Sequence, residues 1–145
     1  MRAVLICNGS VSSKLLYKNI GKNDFIVAVD GGANKLVKAK FRPDIIIGDM
    51  DSINSAARSA FKTVKMLSFP REKDSVDLEL ALNYCIEKKF TELLILGAIG
   101  GRVDMSLTNV FLLDRIPSEI SAKILHQNQE IFLIRKEAEL NGIPG

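Results

Sequence analysis

Six aspartates in the sequence follow predicted strands, at positions where their carboxylates could act together on a ligand. They are Asp30, Asp49, Asp51, Asp74, Asp77 and Asp104. Asp49 and Asp51 come after three consecutive isoleucines in the segment PDIIIGDMDS (43–52), and Gly48 permits a sharp turn before them. Carboxylates that converge repel each other unless a cation binds, and oxygen-only ligands favour Mg²⁺ over Zn²⁺. The pattern therefore predicts a magnesium site.

Glycine-rich segments and basic residues accompany these aspartates. Gly31, Gly32 and the segment 97–101 (GAIGG) precede predicted helices, and backbone N–H groups at a helix N-terminus favour anions. The basic residues of the same loops are Arg71, Lys73 and Arg102. Such cations neutralise phosphate oxygens. Together with Mg²⁺ these parts are typical of phosphoryl transfer, although the segment 97–101 is not a P-loop because no Gly-Lys-Ser/Thr follows it.

Each acidic position also has an ordinary structural interpretation. Asp51 or Ser52 is suited to cap the helix that follows, and Asp74 and Asp77 are spaced as in a capping box. Asp104 opens a predicted helix, whose macrodipole stabilises negative charge. The glycines are equally typical of tight turns. Capping is favoured for any one of these residues, and a metal site is favoured for the whole set.

Apolar segments that alternate with helical patterns place these residues in a fold. The predicted strands are 3–7, 25–29, 45–47, 64–69, 92–96, 122–125 and 130–135. The predicted helices are 12–19, 33–40, 54–61, a long helix from the loop at 71–74 to about 88, and 104–113. This alternation predicts an α/β fold with a doubly wound (Rossmann-like), mostly parallel sheet and helices on both faces, in three α/β/α layers. The strand ends that carry the aspartates then share one edge of the sheet.

Composition narrows the class of protein. The chain has 145 residues, of which 47% are hydrophobic and 26% charged, as expected for one soluble domain. Its net charge of +3 is scattered, which argues against nucleic acid as a partner, and no apolar run approaches the ~20 residues of a membrane span. Cys7 and Cys85 lie in apolar segments, which predicts buried thiols and a cytoplasmic location. His126 lies in a predicted turn (126–129), where we expect a surface residue.

Four motifs stand in order along the chain: DGGAN (30–34), PDIIIGDMDS (43–52), FPREKDSVDLELAL (69–82) and GAIGGRVDMSLTN (97–109). In order and spacing they resemble the motifs of the thiamine pyrophosphokinases, and the resemblance extends from about residue 2 to residue 135. It implies a Mg²⁺-dependent enzyme that transfers the pyrophosphoryl group of ATP to the hydroxyl of thiamine, giving thiamine diphosphate and AMP.

The resemblance also implies roles for individual residues. The residues implied to be catalytic are Asp49, Asp51, Asp74, Asp77 and Asp104. Among these, Asp49, Asp51 and Asp77 would hold Mg²⁺, Asp104 would face thiamine, and Asp74 or Asp104 would orient the thiamine hydroxyl or accept its proton. The residues implied to bind ATP or border its cleft are Asp30, Gly31, Gly32, Asn34, Ser52, Lys73, Gly97, Gly100, Gly101 and Arg102.

Two positions depart from the family pattern, since Val76 and Met105 stand where the family commonly has Thr and His or Gln. Family members usually continue into a β-rich C-terminal domain that helps to bind thiamine across a homodimer interface. We therefore expect residues 1–136 to form the catalytic domain and 137–145 to be a linker or the start of that β-rich domain. We expect a homodimer for the full-length protein.

Two alternative functions stay open at this point. The chain alone could be a module that binds nucleotide and Mg²⁺ without turnover. A receiver-like phospho-acceptor domain also uses an acidic Mg²⁺ site on a doubly wound sheet, but it needs an acidic pair after the first strand, where this sequence has Asn8 and Gly9.

Overall fold

Strands and helices alternate along the computed structural model, which describes residues 1–69, 76–137, 139, 141 and 142. The strands are β1 (Arg2–Ile6), β2 (Phe25–Val29), β3 (Ile45–Gly48), β4 (Lys65–Ser68), β5 (Glu92–Leu96), β6 (Ser121–His126) and β7 (Gln129–Ile131). The α-helices are α1 (Ser13–Asn19), α2 (Gly32–Lys38), α3 (Ser55–Ala60), α4 (Asp77–Glu87) and α5 (Val103–Phe111), and a 3₁₀ helix (Leu112–Arg115) follows α5. The predicted α/β alternation is confirmed.

The strands form one sheet in the order β4-β3-β2-β1-β5-β6-β7. Every pairing from β4 to β6 is parallel, and β7 pairs antiparallel with β6. The chain builds outward from β1 through β2, β3 and β4, and then returns to place β5 on the other side of β1. Such a reversal of strand order leaves a crevice at the carboxyl ends of the strands, where open α/β sheets bind ligands.

Apolar side chains on both faces of the sheet form two cores, because successive residues of a strand point to opposite faces. In β1, Leu5 contributes to one core and Ile6 to the other, and both are fully buried. The helix α4 covers the first core, and α1, α2 and α3 contribute to the second. The predicted doubly wound, mostly parallel sheet with helices on both faces is therefore confirmed.

Two predictions for the end of the chain need correction. The last strand is β7 (Gln129–Ile131) rather than 130–135, because its antiparallel pairing with β6 ends at the pair Ile124–Ile131. Beyond it, the side chain of Arg135 donates hydrogen bonds to the carbonyls of Asp114 and Ile116, both at 2.9 Å, beside the 3₁₀ helix. His126 is the last residue of β6 and is half-buried rather than a surface residue.

The cysteine prediction holds within the described ranges, where Cys7 and Cys85 are both free and buried. None of the helices in those ranges combines the length and the apolar character that a bilayer crossing requires.

Candidate active site

A cavity of about 370 Å³ opens where β1, β2 and β5 end. It lies at the reversal of strand order, and its volume is within the roughly 300–1,000 Å³ that is usual for small-molecule sites. Its walls come from the segments that follow these strands, from Ser52, from the first turn of α4 and from the first two turns of α5. The residues predicted from the sequence that line it are Asp30, Ser52, Asp77, Gly97, Gly100, Gly101 and Arg102.

Three carboxylates converge at this edge of the sheet. Asp30 follows β2, Asp49 follows β3, and Asp77 is the first residue of α4. One oxygen of each lies within 4.8 Å of the others, which makes them the one group in the described ranges that could hold a metal ion. Oxygen donors at this spacing suit a hard divalent cation such as Mg²⁺.

Asp30 is the most deeply buried member of the group, with 7% of its surface exposed. Its Oδ1 atom is buried and has no hydrogen-bond partner among the residues that the structure describes. The residue also adopts a φ of 44°, which is uncommon for a residue other than glycine and is typical of strained functional positions. A buried carboxylate oxygen without a partner is costly, so a bound cation would compensate it.

The raised pKa of Asp77 also reflects the cost of burying carboxylates close together. Burial, together with the negative charges of Asp30 and Asp49, raises this pKa from 3.8 to about 6. A hydrogen bond from the backbone N–H of Asp49 opposes the shift without cancelling it. The donor set therefore fits a cation, since a positive charge among these oxygens would relieve both the repulsion and the burial cost.

Gly48 makes the close approach of these carboxylates possible. Its φ is +145°, and a Cβ atom there would lie 2.9 Å from the Cβ of Asp30 and 3.2 Å from Oδ1 of Asp77. A larger residue would be strained by that backbone conformation and would push both carboxylates away.

The loop that follows β3 carries Asp51 and Ser52, and both are exposed. Asp51 lies outside the group of three carboxylates, and its backbone N–H donates to Oδ1 of Asp49 at 3.0 Å. The helix α3 is capped by Asn54, whose Oδ1 accepts from the N–H of Ala57 at 2.9 Å. The interpretation of Asp51 or Ser52 as the helix cap is therefore wrong, and the metal-binding role of Asp51 stays a prediction.

Asn34 connects α2 to the same loop. Its Nδ2 donates to the carbonyl of Ser52 at 2.8 Å, and its Oδ1 accepts from the backbone N–H of Asn54 at 3.0 Å. The residue does not line the cavity, so contact with a nucleotide stays a prediction and the observed contacts are those of a loop support.

Gly31 and Gly32 are buried and lie outside the lining of the cavity. A Cβ atom on Gly32 would lie 1.7 Å from the carbonyl oxygen of Ile6, and one on Gly31 would lie 2.5 Å from the side chain of Asn8. These glycines let α2 begin directly against the end of β1. Their predicted part in nucleotide binding stays a prediction.

The loop between β5 and α5 forms one wall of the cavity and is held by two side chains of α5. Ser106 accepts a hydrogen bond from the N–H of Gly100 at 3.0 Å, and the Nδ2 of Asn109 donates to the carbonyl of Ala98 at 2.8 Å. Both residues line the cavity, as does Asn8 after β1, and none was singled out from the sequence. The available signal for Asn8 was a polar residue directly after a buried strand. For Ser106 and Asn109 it was two polar residues three apart on one helix.

Arg102 and Asp104 form an exposed ion pair, with 2.7 Å between Nη2 and Oδ2. The guanidinium lowers the pKa of Asp104, so this side chain is an anion at neutral pH. Arg102 lines the cavity, whereas Asp104 does not and occupies the first turn of α5. The predicted contact between Asp104 and a substrate stays a prediction.

Two predicted site residues, Lys73 and Asp74, lie outside the described residues, as does Arg71. Cys7 also lines the cavity, but burial and then the charge of Asp77 raise the pKa of its thiol to about 12. A thiol in that state is a poor nucleophile, so the cavity carries carboxylates rather than an activated cysteine.

Comparison with known proteins gives consistent results. A sequence model of the family described as "Thiamin pyrophosphokinase, catalytic domain" matches residues 16–126. Thiamine pyrophosphokinase 1 of Oryza sativa subsp. japonica is 29% identical, over 76% of this chain and 50% of the rice protein. Thiamine pyrophosphokinase of Bacillus subtilis (strain 168) is 32% identical, over 72% of this chain and 50% of that protein.

The fold is also similar to solved structures. The crystal structure of thiamine pyrophosphokinase from Bacillus subtilis superposes with a TM-score of 0.77 at 26% identity, over 88% of this chain and 61% of that one. The chain spans about half the length of the curated relatives that it matches.

Proposed function

The chain belongs to the thiamin pyrophosphokinase family, and we propose that it forms the part of an enzyme that transfers the pyrophosphoryl group of ATP to the hydroxyl of thiamine, giving thiamine diphosphate and AMP. The observation that carries this proposal is the group of Asp30, Asp49 and Asp77 beside a cavity at the reversal of strand order. In this proposal residues 1–136 are the catalytic domain, and 137–145 are a linker or the start of a β-rich domain.

Asp30, Asp49 and Asp77 would hold Mg²⁺ between them. Asp51 lies outside this group, and the family resemblance implies that it would join them when the ion binds. When bound, the ion supplies positive charge that neutralises phosphate oxygens. The raised pKa of Asp77 and the unpartnered Oδ1 of Asp30 among the described residues support this assignment, because each is relieved by a cation.

The wall formed by Gly97, Gly100, Gly101 and Arg102 would accommodate the triphosphate. The hydrogen bond that Ser106 accepts from Gly100 and the one that Asn109 donates to Ala98 support this role, because they keep the backbone of the loop in one arrangement before a ligand arrives. The guanidinium of Arg102 would add a charge-assisted contact to a phosphate oxygen.

The hydroxyl of thiamine is a weak nucleophile that needs orientation towards the phosphorus more than covalent activation. A carboxylate whose pKa is lowered, as that of Asp104 is, accepts a proton poorly and acts better as a hydrogen-bond acceptor. We therefore assign orientation of the hydroxyl to Asp104, which leaves Asp74 as the candidate for accepting its proton.

The full-length protein in this proposal is a cytoplasmic homodimer whose partners are ATP and thiamine. The two free, buried cysteines support a reducing compartment. The alternative of a receiver-like domain is not retained, because the family match spans residues 16–126.

The proposal is tested by incubating the full-length protein with ATP, MgCl₂ and thiamine and separating the products by chromatography. We expect thiamine diphosphate and AMP in equal amounts, formed only when all three components are present. ADP as the product, or nucleotide breakdown that does not depend on thiamine, would overturn the proposal. Mg²⁺-dependent ATP binding without turnover would support the binding module instead.

Asp49→Asn is the informative variant for this assay, and Glu92→Gln is its matched control. Glu92 is an exposed acidic residue at the amino end of β5, at the edge of the sheet opposite the cavity. We expect Asp49→Asn to lower turnover at least about 100-fold, and Glu92→Gln to leave it unchanged.

A further inference from the structure

Arg58, on α3, holds the segment that carries Asp49 and Asp51. Its Nε donates to the carbonyl of Ile53 at 3.2 Å, and its Nη2 donates to the carbonyl of Met50. One guanidinium thus joins residues 50 and 53 within the segment 49–53, which we call the acidic loop.

The bond to Met50 acts on the most strained point of the acidic loop. Met50 has a φ of 66°, in the left-handed region that residues other than glycine rarely adopt. Its side chain is buried in the core formed with α2 and α3. Because Met50 lies between Asp49 and Asp51, its backbone conformation sets the directions in which both carboxylates leave the chain.

Arg58 and Asn34 act on different parts of this region. Asn34 bonds to Ser52 and Asn54, after the second carboxylate. Arg58 bonds to the carbonyl of the Met50–Asp51 peptide bond, and the N–H of that same peptide bond donates to Oδ1 of Asp49. Of these two side chains, Arg58 is the one placed to control the orientation of Asp49 within the group of three carboxylates.

The charge of Arg58 and its hydrogen bonds have opposite consequences for a cation. A guanidinium beside an acidic loop repels a divalent ion, so removal of the charge alone would strengthen cation binding. Removal of the two hydrogen bonds frees the strained backbone, so Asp49 leaves its position and cation binding weakens. The sign of the effect of a substitution therefore distinguishes the two roles.

We propose that Arg58 is a positioning residue, which holds Asp49 in place for a divalent cation through the carbonyls of Met50 and Ile53. This inference rests on the proposed function for the identity of the cation site.

The experiment is a calorimetric titration of Mn²⁺, as a probe for Mg²⁺, into the unaltered chain and into Arg58→Ala. We expect the dissociation constant to rise about 10-fold or more in the variant. Arg42→Ala is the matched control, because Arg42 is exposed, makes a hydrogen bond of 2.8 Å to Thr63 and precedes the amino end of β3. We expect it to bind Mn²⁺ as the unaltered chain does.

Arg58→Lys separates geometry from charge and serves if Arg58→Ala fails to fold. The ammonium keeps the charge but lacks the planar fork that reaches two carbonyls, so we expect Mn²⁺ binding to be weakened here too. Hydrogen exchange gives a second readout, since the N–H of Asp51 donates to Asp49 and should exchange faster in both variants.

Mn²⁺ binding that is unchanged or tighter in Arg58→Ala would overturn the positioning role. The positioning role would also be overturned if Arg58→Lys bound Mn²⁺ with the affinity of the unaltered chain while Arg58→Ala bound it more tightly. An unaltered chain that binds no Mn²⁺ would overturn the proposed metal site itself, and the inference with it.

Discussion

Burial raises the pKa of Asp77 and the carboxylate of Asp30 raises it further, although the two residues come from different elements of the fold. Asp30 follows β2 and Asp77 begins α4, and the absence of a side chain on Gly48 lets them approach. The repulsion is a cost that the folded chain bears in the absence of a cation. Perturbed carboxylates beside a cavity are typical of functional sites rather than of helix caps.

Stability should therefore depend on pH through Asp77. The folded pKa of about 6 lies above the ordinary 3.8, so between these values the folded chain retains a proton that the unfolded chain has lost. Stability from this group is therefore fully present below pH 3.8, is lost as the pH rises from there through about 6, and changes little above that. In metal-free buffer we expect Asp77→Asn to be more stable than the unaltered chain at pH 7 by about 1 kcal/mol, after allowing for solvent screening of a half-exposed group.

Urea unfolding followed by circular dichroism at pH 4 and pH 7, with a chelator present, measures this difference. The two proteins should differ little at pH 4, and Glu92→Gln should show no comparable gain at pH 7. Asp77→Asn that is less stable than the unaltered chain at pH 7 would contradict the electrostatic argument.

Addition of Mg²⁺ should offset the loss of stability that the ionised carboxylate of Asp77 causes at pH 7. A ligand that binds only the folded state stabilises it by about 2.7 kcal/mol at 100 times its dissociation constant. We expect MgCl₂ to raise the melting temperature of the unaltered chain and to leave that of Asp77→Asn unchanged. Removal of the ion with a chelator should restore the original value. An equal rise in both proteins would indicate a general salt effect.

Substitutions should distinguish the structural role of Asn54 from the proposed functional role of Asp51. Asn54 caps α3, so Asn54→Ala should cost about 1 kcal/mol, because the N–H of Ala57 loses its acceptor. Asp51→Asn should cost less stability than this and should lower the turnover of thiamine. Melting curves and product analysis on both variants measure the two effects. A larger loss of stability in Asp51→Asn would restore a structural role for that residue.

Much of the fold follows from apolar segments in the sequence. Ile45, Ile46 and Ile47 are fully or almost fully buried because β3 lies inside a parallel sheet with both faces covered. Once the strands are parallel, their carboxyl ends share one edge, so the meeting of Asp30, Asp49 and Asp77 also follows from their places in the sequence.

The remaining features depend on tertiary contacts that residue types do not reveal. Asp51 lies outside the carboxylate group in a loop where Met50 adopts a left-handed backbone, which methionine does not favour by itself. The strand predicted over 130–135 stops pairing at Ile131, and the side chain of Arg135 then bonds to carbonyls of residues distant in sequence. The apparent phosphate-binding glycine Gly32 has a packing role that only the position of β1 explains.

Gly32 and Gly101 should respond differently to the same substitution. A methyl group on Gly32 would overlap the carbonyl oxygen of Ile6 at 1.7 Å, and this backbone atom cannot move without shifting β1. We expect Gly32→Ala to lower the free energy of unfolding by about 3 kcal/mol or more. Nothing lies within 4 Å of the corresponding position on Gly101, so Gly101→Ala should change stability by less than about 0.5 kcal/mol.

Urea unfolding of both glycine variants measures the changes in the free energy of unfolding. A titration of ATP in the presence of Mg²⁺ then measures the separate effect of each substitution on ligand binding. Gly101 lines the cavity, so we expect a methyl group there to narrow the space proposed for the triphosphate and to weaken ATP binding in a chain of unchanged stability. If Gly32→Ala were as stable as the unaltered chain and only its ATP binding fell, Gly32 would be a ligand-binding glycine. Its close contact with β1 argues for the opposite result, because a clash with a buried strand acts on folding before any ligand is present.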